Sequence, residues 1–302
     1  MLKNHKKIEY NKFIMDYTLK NKTIIITGGF KDQSIIDIPA TVDGCPVTEI
    51  EKYAFSGREE LKEVILPESI QRIGGHAFYN CKNLSHAELH DGIRELEDGA
   101  FKNCYSLSRI TMHSHEGREG CIRNLMSDNI HEITLDIFYD NRERSRLFFP
   151  TFEDDYVENT PARIFQAVSY GTGGAYRQCM QVGTLDYRDF DRLFERSVRE
   201  DRPEAAVFNC IGRLMYPYKL FNSAKEKYEN YLAENDFFAA SVFIENRDSG
   251  AIKYMCEHKL ICHESAKRLI EIAAEKENME IFGLLMNYKN TNFITEKKRF
   301  DL

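Results

Sequence analysis

The sequence predicts an α+β repeat protein in which a short β-solenoid precedes an α-helical array. Apolar residues recur every 23 positions in the first half, two alternating runs flank a charged turn after the last repeat, and apolar residues from Asp186 onward have helical spacing. The predicted domains are a solenoid with an N-terminal hairpin cap at 1–135, a capping hairpin and connector at 136–200, and helical repeats at 201–302.

The composition limits the possible classes of protein. At 302 residues, with 42% hydrophobic and 29% charged residues, the chain suits a globular protein of two domains or one elongated array. No apolar run approaches the ~18 residues that cross a bilayer. The net charge of -7 argues against a nucleic-acid or anionic-membrane binder, since either needs a basic surface. The basic start, MLKNHKKIEYNKF, lacks the apolar core of a signal peptide, so we expect a cytoplasmic location.

The 23-residue repeat is the strongest signal. Each unit reads I-x3-A-F-x5-L-x2-V-x-L and ends in a short alternating segment, which indicates a strand with one buried face. Stacking such strands builds a parallel ladder with ~4.8 Å per coil. The small Ala lets coils approach, and each Phe fills the interior beside the next Phe. The pairs are Ala54-Phe55, Ala77-Phe78 and Ala100-Phe101, and Ile130, Ile133 and Leu135 predict a fourth, degenerate coil in the same 23-residue register.

These repeats resemble the leucine-rich repeats of bacterial surface antigens of the BspA type, over about residues 10–135. The stretch FIMDYTLKNKTIIITGGF resembles the opening hairpin of that family, and IPATVDGCPVTEIEKYAF resembles its longer first coil. The resemblance implies a leucine-rich repeat solenoid and a binding scaffold with a protein partner. A surface adhesin is the alternative that the same family suggests.

The second half predicts a cap and then paired helices. In HEITLDIFYDNRERSRLFFPTF, two alternating runs around NRER predict a hairpin that covers the edge of the last coil. Two later stretches, SAKEKYENYLAENDFFAASVFIENRD and SAKRLIEIAAEKENMEIFGLLMNYKN, align from Ser223 and Ser265. The paired helices that they predict resemble degenerate ankyrin-type units over roughly 203–290.

The glycine-rich stretch SYGTGGAYRQC, Ser169–Cys179, raises the question of a phosphate loop. It lacks the Lys and hydroxyl of a Walker loop and the third Gly of a dinucleotide loop, so we favour a structural turn with positive φ over a phosphate site. The preceding ENTPARIF predicts a helix with Thr160 as N-cap and Pro161 at its first position, which the glycines would end.

No metal, cofactor or catalytic site is predicted. The eight cysteines form no CxxC pair and are expected to be buried, reduced thiols. The motif C-x-H-x3-C-H at 256–263 could hold zinc only outside a regular helix, so packing is favoured. His113 and His115 lack a third ligand at suitable spacing and predict a solvated turn. Because no catalytic motif is present, we expect no enzyme; an enzyme with its site in 140–200 is the alternative.

The candidate binding residues lie on the strands of the solenoid. If Val64, Ala87, Ile110 and Ile133 point inward, their neighbours point outward in two rows. This strip of mixed charge is rigid, so a protein partner could bind it at small ordering cost. Alternatively, the opposite charges merely ease strand stacking. The rows are Glu63, His86, Arg109 and Glu132, and Ile65, Glu88, Thr111 and Thr134.

Overall fold

The computed structural model describes residues 5–10, 13–115, 117–159, 164–181 and 183–293. The chain divides into two compact units, Met1–Asp201 and Arg202–Leu302.

The N-terminal unit is mainly β-structure. Its strands are β1 (His5–Tyr10), β2 (Phe13–Lys20), β3 (Thr23–Gly29), β4 (Ile35–Asp37), β5 (Thr41–Val42), β6 (Cys45–Ile50), β7 (Glu63–Ile65), β8 (Arg72–Ile73), β9 (His86–His90), β10 (Glu95–Leu96), β11 (Arg109–Ser114), β12 (Ile133–Tyr139), β13 (Arg144–Phe149), β14 (Glu153–Asn159) and β15 (Ile164–Tyr170). A 3-10 turn, Glu119–Ile122, and the helices α1 (Arg123–Asp128), α2 (Gly173–Gln178), α3 (Tyr187–Arg192) and α4 (Phe194–Glu200) complete it.

Two ladders of strands run along this unit, as a solenoid requires. One sheet has the order β1-β2-β3-β6-β8-β10, with β5 paired to β6, and the other has the order β13-β12-β11-β9-β7-β4. Strands β4, β7, β9, β11 and β12 are parallel, whereas β13 returns antiparallel to β12. The antiparallel pair β2–β3 is the predicted opening hairpin. The β-solenoid predicted from the 23-residue repeat is therefore confirmed.

The repeated phenylalanines form a continuous column in the core. Ring centroids are 6.4 Å apart between Phe30 and Phe55, 5.3 Å between Phe55 and Phe78, and 4.8 Å between Phe78 and Phe101. All four side chains are buried. The column therefore links successive coils through direct ring contacts, as the Ala-Phe repeat predicted.

One backbone position in each coil is left-handed. Gly57, Asn80 and Asn103, which are 23 residues apart, have φ of 73°, 60° and 63°. Gly and Asn are the residues that adopt this conformation at least cost. The pattern explains why this position in the repeat carries only these two residue types.

The last coil departs from the 23-residue register. Ala87 pairs with Ile110, but Ile110 pairs with Leu135 instead of Ile133, so this coil spans 25 residues. The predicted alignment of Ile133 with Ile110 is wrong, and Ile130 is exposed instead of lying in the core. The physical reason is that α1 and the 3-10 turn replace the Ala-Phe corner here, with Leu125 of α1 buried in its place.

The predicted hairpin is present, and helices complete its cap. Strands β12 and β13 pair around NRER, and the boundary predicted between 135 and 136 falls inside β12. Phe149 of β13 packs against Phe190 of α3 at 5.5 Å, and Tyr176 of α2 contacts the same ring at 4.6 Å. The edge of the last coil is therefore covered by the hairpin together with short helices from the connector.

The helix predicted at ENTPARIF is wrong where the structure describes it. Ile164–Tyr170 forms β15, which pairs antiparallel with β14, and the glycines begin α2 instead of ending a helix. The ladder with β14 supplies the backbone hydrogen bonds that a helix would have made, so pairing outweighs the local capping signal. Thr160 and Pro161 lie outside the described residues.

The C-terminal unit is helical, as predicted. Helices α7 and α9 each lead through a three-residue break into the next helix, and Arg247 and Glu277 are left-handed in these breaks. Asp248 and Asn278 follow and cap the next helices by accepting hydrogen bonds from Ala251 N and Ile281 N. The ankyrin-type character of the array stays a prediction. Its helices are α5 (Pro203–Met215), α6 (Asn222–Glu234), α7 (Asp236–Glu245), α8 (Ser249–Glu257), α9 (His263–Glu275) and α10 (Met279–Asn292).

Among the described residues, no helix combines the length and the apolar character that crossing a membrane requires.

Candidate functional site

The outer face of the six-stranded sheet brings most of the predicted binding residues together. Val64, Ala87 and Ile110 are fully buried, so their neighbours along each strand lie on the outer face. Cross-strand pairing gives one row of Ile35, Glu63, His86, Arg109, Thr134 and Phe148, and a second of Asp37, Ile65, Glu88, Thr111, Asp136 and Arg146. We call these two rows the strand face.

Two of the eight predicted residues are misplaced. Thr134 belongs to the first row instead of the second, and Glu132 precedes β12, so it is in neither row. The cause is the 25-residue coil, which moves Asp136 to the position predicted for Thr134. Sequence reasoning also missed Arg146, because its place depends on the hairpin returning beside β12.

Hydrogen bonds join side chains across neighbouring strands of this face. The Nδ1 atom of His86 lies 2.9 Å from Glu63 Oε1, and its Nε2 lies 2.9 Å from Thr111 Oγ1. The Nε2 atom of His113 lies 2.8 Å from Glu88 Oε1. Each bond connects two coils, so these side chains are already fixed in the free protein.

A buried carboxylate anchors the end of the strand face. Arg146 Nε donates to Asp136 Oδ1 at 2.6 Å, and Arg109 Nη2 donates to Asp136 Oδ2 at 3.0 Å. The Asp136 side chain is only 3% exposed, whereas that of Arg109 is 56% exposed. Phe148 is also buried. The face is thus open over β4 to β11 and covered near the hairpin.

Histidines and an aromatic ring stack at the carboxyl end of these strands. The ring centroids of His90 and His113 are 4.7 Å apart, and those of His113 and Phe138 are 5.5 Å apart. Burial lowers the pKa of His90, and the nearby His113 and His115 act in the same direction. The hydrogen bond to Asp140 raises the pKa of His115.

The solvated turn predicted for MHSHEG is wrong at His113, which lies in β11 and is bonded to Glu88. The local sequence does not show that the strand here extends past the repeat's usual three residues. Within the described part of the chain, no three His, Cys, Asp or Glu side chains are grouped so that they could hold a metal ion.

The glycine-rich segment packs tightly against β13 and the turn after it. Gly171 has φ of 77°, as a positive-φ turn requires. A Cβ on Gly173 would lie 2.1 Å from Pro150 O, and one on Gly174 would lie 3.3 Å from the ring of Phe152. The glycines therefore serve a turn and a close approach of two chain segments, which confirms the structural interpretation.

Arg177, the cation in this segment, lies buried among carbonyl groups. Its Nε donates to Met126 O at 2.9 Å, its Nη1 to Pro150 O at 2.8 Å and Gly173 O at 3.1 Å, and its Nη2 to His131 O at 2.5 Å. Burial lowers its pKa to about 10, so the side chain remains charged at neutral pH. These bonds tie α1, the start of β12, the end of β13 and α2 together.

The C-x-H-x3-C-H motif is divided among separate local contacts. Cys262 Sγ accepts from Ser265 N at 3.5 Å at the start of α9, and His258 Nδ1 lies 2.9 Å from Tyr254 O in α8. Burial raises the pKa of Cys256 to about 12. These contacts agree with the predicted packing role.

All eight cysteines are free thiols, and two stack in the core. Cys81 Sγ donates to Phe55 O at 3.1 Å, and Cys104 Sγ donates to Phe78 O at 3.2 Å. Burial raises the pKa of Cys81 to about 11 and that of Cys104 to about 12. Both thiols are therefore protonated at neutral pH and poorly reactive.

We expect Cys81 and Cys104 to resist alkylation in the native protein. Iodoacetamide at pH 8 should label the exposed Cys262 and leave these two unmodified, because the thiolate is the reactive form and both pKa values lie well above 8. A second reagent added after denaturation, followed by mass spectrometry, distinguishes protected thiols from a disulfide. Labelling of Cys81 as fast as Cys262 would contradict burial, and a Cys81–Cys104 link in protein from unstressed cells would contradict a reducing compartment.

Comparison with known proteins agrees with this geometry. Residues 23–140 match the BspA type leucine rich repeat region in 6 copies. The N-terminal unit is thus a leucine-rich repeat solenoid of the BspA type. No curated protein matches the sequence.

Solved structures of bacterial leucine-rich repeat proteins are similar to part of the chain. A protein from Bacteroides capillosus ATCC 29799 is 26% identical over 35% of this chain and 80% of its own, with a TM-score of 0.31. One from Bacteroides ovatus ATCC 8483 is 18% identical over 43% of this chain and 37% of its own, with a TM-score of 0.32. The T. pallidum leucine-rich repeat protein is 20% identical over 45% and 84%, with a TM-score of 0.26.

Proposed function

We propose that this protein is a non-catalytic, cytoplasmic scaffold whose protein partner binds the strand face. Leucine-rich repeat proteins generally mediate protein interactions. The observation that carries the proposal is the set of cross-strand hydrogen bonds that fixes Glu63, His86 and Glu88 in the free protein. Side chains that are already ordered lose little conformational entropy on binding, which favours association.

The open part of the strand face lies over β4 to β11, where the partner would bind. Ile35 is 51% exposed at one edge and Arg109 projects at the other, with Ile65 between them. Apolar and charged side chains alternate here, and the charges largely pair within the face. Such a surface suits a protein of mixed polarity better than the uniformly anionic backbone of a nucleic acid.

The proposed location in the cytoplasm rests on the chemistry of the thiols. Cys81 and Cys104 occupy the same position of neighbouring coils and both are free. A reducing compartment keeps such thiols unpaired. Fractionating the native cells tests this location, and recovery in the surface fraction would favour the adhesin.

The scaffold is tested with Ile65→Lys and Arg109→Gln in one chain. The lysine of Ile65→Lys lies between Asp37 and Glu88 on neighbouring strands, so the fold should tolerate it. The glutamine of Arg109→Gln can still donate to Asp136, which Arg146 also holds. We expect an unchanged Tm and an at least ~10-fold higher Kd for a purified partner first captured by the wild-type chain.

The matched control is Arg94→Gln, the same substitution at an exposed residue beside β10 on the other sheet. It should leave the Kd unchanged. If the double variant binds as tightly as this control, the partner does not use the strand face.

A further inference from the structure

A cavity of about 490 Å³ lies beside α2, within the N-terminal unit. Three arginines from separate elements line it: Arg123 at the start of α1, Arg177 in α2 and Arg196 in α4. Phe152 and Gln178 contribute an aromatic ring and an amide to the same wall. Three guanidinium groups around one cavity are unusual in a chain whose net charge is -7.

Arg177 gives this cavity its strongest electrostatic feature. The side chain is 4% exposed, and its hydrogen bonds all go to backbone carbonyls, so no carboxylate is among its hydrogen-bond partners. Buried charges in proteins are normally paired with an opposite charge. The partial charges of carbonyl groups satisfy the N–H donors of Arg177 but leave its full positive charge uncompensated at the cavity wall.

The acidic groups nearest to the cavity do not cancel its charge. Glu200 Oε2 accepts from Arg196 Nε at 2.8 Å and so neutralises one of the three arginines. Asp201, behind Gly171, accepts from Thr172 N at 2.8 Å and from Ser197 Oγ at 2.6 Å. Even with both carboxylates included, the three arginines leave an excess of one positive charge.

We propose that this cavity binds the oxyanion group, phosphate or carboxylate, of a small organic molecule. Guanidinium groups match both kinds of oxyanion through paired N–H donors. The volume lies in the ~300–1,000 Å³ range of small-molecule sites, which is larger than a lone phosphate needs. Phe152 provides an apolar surface for the remainder of the ligand. The site lies apart from the strand face, so it is independent of the proposed scaffold function.

Calorimetric titration of the full chain with simple probes tests the site. We expect phenyl phosphate or benzoate to bind saturably with a Kd below ~1 mM, and the uncharged benzyl alcohol not to bind. The stronger of the two anions identifies the preferred oxyanion. Arg123→Gln and Arg196→Gln should each raise the Kd at least ~10-fold, because each removes a charged hydrogen-bond donor. Neither substitution touches the carbonyl contacts of Arg177.

The control is Arg199→Gln, which removes an exposed charge from α4 without changing the cavity lining and should leave the Kd unaltered. Failure of both anions to bind would overturn the proposal, and so would equal binding to the Arg123→Gln and Arg196→Gln variants. If inorganic phosphate binds as tightly as phenyl phosphate, the assignment of an organic ligand is wrong.

Discussion

Phe78→Ala is expected to lower the free energy of unfolding of the solenoid by about 3–5 kcal/mol, the range measured for truncating a buried phenylalanine. Phe78 is fully buried, and its ring lies between those of Phe55 and Phe101. The substitution therefore removes contacts to both neighbouring coils and leaves a cavity in the middle of the column. Because each coil is stabilised by its neighbours, the loss should spread along the array.

Hydrogen exchange followed by mass spectrometry measures this effect locally. We expect faster exchange in β7, β9 and β11 together, because they belong to coils that meet at the column. Tyr105→Ala is the control, since its side chain is 55% exposed and its loss should cost less than ~1 kcal/mol. A loss below ~1 kcal/mol in Phe78→Ala, or faster exchange in one coil alone, would contradict the coupling of coils through the column.

Arg177→Met is expected to destabilise the N-terminal unit by at least ~3 kcal/mol. The substitution leaves Met126 O, Pro150 O and His131 O without the donor they now share, and a buried unsatisfied group costs about 1–3 kcal/mol. Replacing a buried charge by an apolar side chain can stabilise a protein when its partners are replaced as well. Here the backbone carbonyls remain, so the penalty remains.

Urea denaturation monitored by hydrogen exchange in α1 and β13 checks this prediction. Arg192→Met serves as the control, because Arg192 is an exposed residue whose ion pair with Asp189 should contribute less than ~1 kcal/mol. Arg177→Lys should recover part of the loss, since an ammonium can reach some of the carbonyls but not all. Equal stability of Arg177→Met and Arg192→Met would show that the carbonyls find other donors.

The solenoid could be predicted from sequence because its information is repeated. The Ala-Phe pairs at Phe55, Phe78 and Phe101 place the same side chain in the same environment three times, so one pattern specifies both strand and core. The hairpin around NRER was predictable for a related reason, because alternation and a polar turn are both local signals. These features require no knowledge of distant contacts.

The errors lie where distant contacts decide the structure. Asp136 replaces Thr134 in the strand face because α1 inserts two residues into the last coil, and the spacing pattern alone cannot show this. The strand β15 forms because β14 is available to pair with it, although the local sequence favoured a helix. The burial of Arg177 depends on carbonyls from residues up to 51 positions away along the chain.

The two coil lengths along the six-stranded sheet limit how such a protein can change in length. A 23-residue coil between Ile50 and Met112 could be duplicated or deleted, because its neighbours present the same backbone pattern above and below. A duplicate of the 25-residue coil would instead place α1 between two coils that expect a phenylalanine corner. Length variation during evolution should therefore occur in steps of 23 residues, and only upstream of α1.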